Sequence, residues 1–194
     1  MKKFLAIIAA TALLLTGCSQ VGAAATVGDT KITQATVQGS VDSLLAERAK
    51  VDVTQMQLET GEALNRSQLR FHLLSKLLRA LGKELKIEVT KAEIDTRRAS
   101  ILEQVGGASA LPTALVSAGI APADLDTYIE AISLSDKISK ALIAAGVAED
   151  QVGSEIQKLV VAKSKELGVT INPRYGKWNA ETADIVAADP ASSG

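Results

Sequence analysis

Leu69, Leu73, Leu77, Leu81 and Leu85 recur every four residues, and Phe71, Leu74 and Leu78 widen this apolar surface beyond a single stripe. A helix so apolar must be covered on several sides, so the spacing predicts a long central helix from Asn65 with the rest of the chain wrapped around it. Gln68, His72, Lys76, Arg79 and Lys83 share the opposite face and are expected in solvent. Arg70 falls inside the apolar arc and is expected to meet an acidic or carbonyl partner. Aromatic residues are only 3% of the chain, so this core is built of Leu, Ile, Val and Ala, as helical cores commonly are.

The flanking segments read as follows. Ala23 to Val27 is strand-like, Gly28-Asp29 marks a turn, and Lys31-Ile32-Thr33 resumes, which gives a short strand or hairpin. Val37, Val41, Leu44 and Leu45 then follow helical spacing with Thr33 placed to cap, predicting a helix over 34–50. Val51 to Leu64, carrying Met56 and Leu58, reads as a mobile loop with room for one helical turn. Thr90-Lys91-Ala92-Glu93 matches a capping box and opens a helix with Ile94, Ile101, Leu102 and Val105 on its inner face, stopped by Gly106-Gly107. A short helix over 110–117 ends at Gly119. Pro122 starts a long one through Tyr128, Ile129, Ile138 and Leu142, with a register shift between Ser133 and Lys137 and a stop at Gly146. The last helix carries Val152, Ile156, Val160 and Leu167 and stops at Gly168, and Val169-Thr170-Ile171 is a strand. One short strand at each end is unstable alone. Pairing them predicts a single helical domain closed by its own two ends, with the middle helices projecting.

Upstream, Lys2 and Lys3 precede an apolar run from Phe4 to Leu15, and Leu15-Thr16-Gly17-Cys18 follows. This is the order of a secretory leader, and its ending resembles the lipobox of exported lipoproteins. Cys18 is therefore expected to carry lipid and to become the N-terminus after cleavage, which also accounts for a lone cysteine in an exported chain. The competing reading is a plain secretory signal with an incidental thiol. The apolar run is short of the roughly 20 residues a spanning helix needs. Extended, Ser19 to Ala25 reaches about 25 Å and would keep the body near the bilayer. The expected organisation is a signal peptide over 1–17, a lipidated tether over 18–25, a domain over 26–180 and a disordered tail over 181–194.

Chemistry is sparse. With 21 basic and 22 acidic side chains the chain is nearly neutral, which gives no argument for nucleic acid. The sole histidine, His72, has no Cys or His companion for a metal and no placed nucleophile, and the two glycines at 106–107 lack the following Lys-Ser/Thr of a phosphate loop. Glu93, Asp95, Glu155 and Glu166 sit in amphipathic patterns, so no catalytic, metal or cofactor site is expected. The strand-helix alternation of a two-lobed solute receptor is missing.

Val27-Gly28-Asp29-Thr30-Lys31-Ile32-Thr33 resembles the opening strand of the SurA/PrsA group of exported folding factors, and Val169 to Trp178, with its Asn172-Pro173-Arg174-Tyr175-Gly176 segment, resembles the closing one. The resemblance implies a mainly α, SurA/PrsA/trigger-factor-like chaperone domain with its N- and C-terminal short strands paired. Many members insert a parvulin-type prolyl isomerase of roughly 90 residues. Between Gly146 and Glu149 there is no room for one, so the chaperone half alone is implied, without isomerase activity. The implied partners are unfolded or nascent exported polypeptides, held without ATP, and the bilayer through acylated Cys18. A structural adaptor for one fixed envelope partner is the alternative. For clients, Met56 and Leu58 in the loop, Leu111 and Leu115 on the short helix, and Tyr128 are the candidate contacts, with ordinary core packing the competing role for the last three.

Overall fold

The computed structural model describes residues 21–188. A hairpin of β1 (Ala23–Val27) and β2 (Thr30–Thr33) leads into α1 (Gln34–Arg48), whose first turn is capped by the Thr33 hydroxyl accepting from the Thr36 amide at 3.0 Å. An irregular segment precedes α2 (Gly61–Leu85), which begins one turn earlier than its leucine run indicates. Then come α3 (Lys91–Gln104), α4 (Leu111–Ala118), a 3-10 turn at Pro122–Asp124, and α5 (Leu125–Ala144). The chain returns through α6 (Val152–Leu167) into β3 (Val169–Ile171) and ends its described part in a second hairpin, β4 (Lys177–Asn179) and β5 (Asp184–Val186).

β1 is the central strand of a β2-β1-β3 sheet. Ala25, Thr26 and Val27 pair antiparallel with Ile171, Thr170 and Val169, so the two ends of the domain close on each other as expected. This sheet lies against α2. Leu69, Leu73, Leu77 and Leu81 share one core with Val27, Ile32, Ile138, Val160, Tyr175 and Ile185. Among the described residues this cluster runs from Ala24 in β1 to Ile185 in β5. Leu73 is fully buried at mid-helix. Leu73→Ala is expected to cost about 2–5 kcal/mol, read as a lower urea midpoint, because the helices around it cannot collapse into the void.

A second, smaller core joins Val41 and Leu44 of α1 to Leu64, Val116 and Ala121, and Val51, Val53, Met56 and Leu58 pack over it. The 51–60 segment is therefore fastened by its apolar side chains, where the sequence reading has a mobile loop. Arg48 Nη1 adds a hydrogen bond to Glu59 O at 2.7 Å.

α3 stands apart. It packs on α5 and holds no fully buried residue, its inner face being half covered. Its capping box forms as expected, and the Lys137 ammonium, with the Thr90 amide and hydroxyl, holds the Glu93 carboxyl down to about 2.

Three expectations are corrected by packing. His72 is 8% exposed and Gln68 is buried with it, because α1 and the 119–124 segment cover the start of their row on α2. Arg70 is exposed, yet it does find its acid, Asp184, at 3.0 Å. The domain also reaches further at both ends than 26–180: Ala23–Ala25 are buried in β1, and Ala183 and Ile185 are buried beneath the second hairpin. Residues 189–194 of the expected tail lie outside the described residues.

Candidate functional site

The 51–60 segment, the first turns of α2 and the link from α4 to α5 enclose two adjoining hollows of about 230 and 170 Å³. Glu59, Ser67, Ala118 and Gly119 belong to both, so they form one two-chambered groove. Phe71, Ile120, Ala121 and Tyr128 line the larger chamber, with Gln68 among them, and Leu58, Leu64 and Arg48 the smaller.

Local chain chemistry sets this shape. Gly119 ends α4 with φ +68°, a left-handed cap that suits glycine, and Pro122 then restarts the helix after a single extended step at Ala121. The link between them is pinned by Gln68, whose Nε2 donates to Gly119 O at 2.9 Å. Burial lowers the Arg48 pKa, with Glu59 acting against that shift, and Arg48 Nε is buried without a hydrogen bond among the described residues. The larger chamber is mainly apolar, while the smaller, where Gln57, Glu59, Ser67 and Ser117 join Arg48 beside Leu58, is as polar as it is apolar. An apolar pocket continuing into a mixed one suits an extended segment with an apolar side chain and backbone to pair.

The sequence candidates divide across this geometry. Leu58 and Tyr128 line the groove, one in each chamber, both half-buried. Met56 is half-buried against the second core and serves as a support for the wall. Leu115 is only 6% exposed and is a core residue, which removes it as a contact. Leu111 is half-buried at the start of α4 and lines neither chamber. Phe71, Gln68 and Ile120 escaped the sequence reading. Ile120 had a signal, being apolar between the helix-ending Gly119 and the helix-starting Pro122. Cys18 lies outside the described residues.

Two larger hollows have other linings. One of about 740 Å³ beside the β1–β2 turn is bordered by Lys163, paired with Glu84 and, at 2.5 Å, with Glu166, and one of about 550 Å³ between α3 and α5 by Lys137–Glu93 at 2.6 Å and Arg97–Asp136 at 3.4 Å. The first of these has a mainly apolar floor of Val27, Ala80 and Leu167 beneath its charged rim, and the second is of mixed lining. Among the described residues no group of His, Cys, Asp and Glu gathers to hold a metal, and no helix is long and apolar enough to cross a membrane.

No curated protein and no solved structure matches the chain. Residues 1–130 match the SurA-like N-terminal domain, a span that contains every groove residue from Arg48 to Tyr128 and stops within α5. Two thirds of the chain being covered in this way, it belongs to the SurA-like N-terminal domain family, which is of chaperone type.

Proposed function

We propose that the protein is a lipid-anchored, extracytoplasmic holdase that binds unfolded exported polypeptides without ATP in the groove between the 51–60 segment, α2 and the α4–α5 link. The carrying observation is the mainly apolar larger chamber of this groove in a chain of the SurA-like N-terminal domain family. Unfolded chains display isolated apolar side chains, and each one removed from water contributes about 1.5–3 kcal/mol. Two chambers holding two such side chains reach roughly millimolar affinity, where about 4 kcal/mol is needed. Weak, quickly reversed binding suits a holdase that must release its client to fold. Anchorage through Cys18 offsets the low affinity by concentrating the groove at the membrane where exported chains emerge. Prolyl isomerase activity is not part of the proposal, since residues 145–148 alone separate α5 from the 3-10 turn before α6.

The chain from Ser19 onward, tested at stoichiometric amounts without nucleotide, should suppress aggregation of several unrelated unfolded proteins. Leu58→Asp combined with Tyr128→Asp puts a charge into each chamber at half-buried positions, so the body should stay folded. Suppression should then fall about tenfold or more, since desolvating a carboxylate against an apolar client is strongly unfavourable. Suppression of no client by a folded, helical protein would turn the assignment to an adaptor with a single partner.

A further inference from the structure

Three helical elements meet at one buried polar contact. His72 of α2 and Ser40 of α1 are both buried and lie 2.8 Å apart, Nε2 to Oγ, and Asp124, at the end of the 3-10 turn, brings Oδ2 to 3.9 Å of the same Nε2. The Ser40 hydroxyl donates to Thr36 O at 3.2 Å, which assigns the ring proton to Nε2, donating to Ser40. Asp124 Oδ2 is buried and accepts no hydrogen bond among the described residues. The same 119–124 segment forms one wall of the groove, held by Gln68 to Gly119 O and, more loosely, by Ser43 to the Ala123 amide at 3.4 Å. On its other side the imidazole sits edge-on to Phe71, a groove residue, with ring centres 5.1 Å apart.

We propose that Ser40, His72 and Asp124 form an acid-released latch that keeps the 119–124 wall of the groove against α1 and α2 while His72 is neutral, and loosens it when His72 is protonated. Both polar neighbours of the ring fall on Nε2, so the proton added in acid goes to Nδ1, which neither of them meets. The charged groups bearing on the ring are Asp124, which favours the cation, and Lys76 one turn along α2, which opposes it. The group facing it from α1 is the neutral Ser40 hydroxyl. On α5, Asp126 is paired with Arg98 and Glu130 with Arg79, turned to other partners. Burial outweighs Asp124 and holds the histidine below its ordinary value. The sign follows: a base whose folded pKa is depressed contributes its stabilisation in full above the unfolded value of about 6.5 and loses it as the pH falls below. His72 is the sole histidine of the chain, and only histidine ordinarily changes charge in this range.

As a regulator of client binding the latch presupposes that the groove binds clients; as an opening of the fold it stands without that. The test is hydrogen exchange of the chain from Ser19 at pH 7.5 and 5.5, corrected for intrinsic rates, with client capture measured in parallel. Protection in 119–124 and in α1 should fall by up to about tenfold per pH unit below 6.5, the limit for one linked proton. His72→Gln, neutral at both pH values, should abolish that dependence. Asp124→Asn, which removes the attractive charge and leaves α2 unchanged, should deepen it and serves if His72→Gln fails to fold. Equal pH dependence in His72→Gln and the parent, or unchanged protection of 119–124 in acid, overturns the latch. Acid opening without any client capture sustains the latch and overturns the groove assignment.

Discussion

Gly176→Ala is expected to destabilise the domain by about 3 kcal/mol or more and to detach the β4–β5 hairpin. Gly176 adopts φ +124° and ψ −155°, a region that is essentially restricted to glycine and costs other residues on the order of 1–3 kcal/mol. A β-carbon there would also lie 2.2 Å from Val186 O and 3.2 Å from Ile185 Cγ2. The obstructing carbonyl is backbone, so β5 itself has to move. Ile185 and Ala183 then leave the main core, and Tyr175 is uncovered beside them. Gly39→Ala provides the contrast, since Gly39 lies within α1 with open space where the methyl would go. There the change should stabilise by roughly 0.5–1 kcal/mol. Urea denaturation of the two variants against the parent should place their midpoints on opposite sides of it.

The other large effect concerns location. If Cys18 carries lipid as proposed, Cys18→Ser is expected to abolish membrane association, leaving the protein soluble or as an uncleaved precursor. A serine hydroxyl does not accept a thioether-linked diacylglyceryl group, on which the proposed processing would depend. Each buried methylene of an acyl chain contributes about 0.8 kcal/mol, and stable anchoring takes two chains, so losing them leaves nothing comparable. Among the described residues no helix is long and apolar enough to cross a membrane in its place. Metabolic labelling with a radioactive fatty acid, followed by membrane fractionation, reads both steps. Label and membrane association retained in Cys18→Ser would refute the assignment of Cys18.

Much of the fold was written in periodic or punctuated sequence. The leucine row of α2, the Thr90–Glu93 box and the glycines at 119 and 168 each act locally, so their outcome does not depend on distant residues. The errors in α2 come from treating a four-residue spacing as one face. On a helix of 3.6 residues per turn each step of four drifts by about 40°. The row Gln68, His72, Lys76, Arg79, Lys83 thus starts buried under α1 and ends in solvent, and Leu85, at the far end of the leucine row, is 44% exposed.

The groove was legible only in halves. Leu58 and Tyr128 are apolar residues in or beside irregular segments, which flagged them, whereas Gln68 resembled any polar residue on a helix exterior. Its role depends on Gly119, 51 residues away. β5 had the least signal of all. Asp184-Ile185-Val186 is three residues long and becomes a strand only because Lys177–Asn179 is there to pair with it. The closure of the chain ends was recoverable because two isolated short strands have few other ways to satisfy their backbone groups.

That closure also sets a schedule. Thr26 hydrogen-bonds to Thr170, 144 residues further along, and β1 is the middle strand of its sheet. A polypeptide that leaves the cytoplasm N-terminus first delivers β1 early, to the spot where its lipid would hold it, and must wait for β3 until nearly the whole domain has crossed. Throughout that interval the sheet lacks one neighbour and α2 lacks its cover from α6 and the second hairpin. A protein proposed to shelter unfinished exported chains therefore spends its own passage as one of them, and completes its shape only when residues 169–171 arrive.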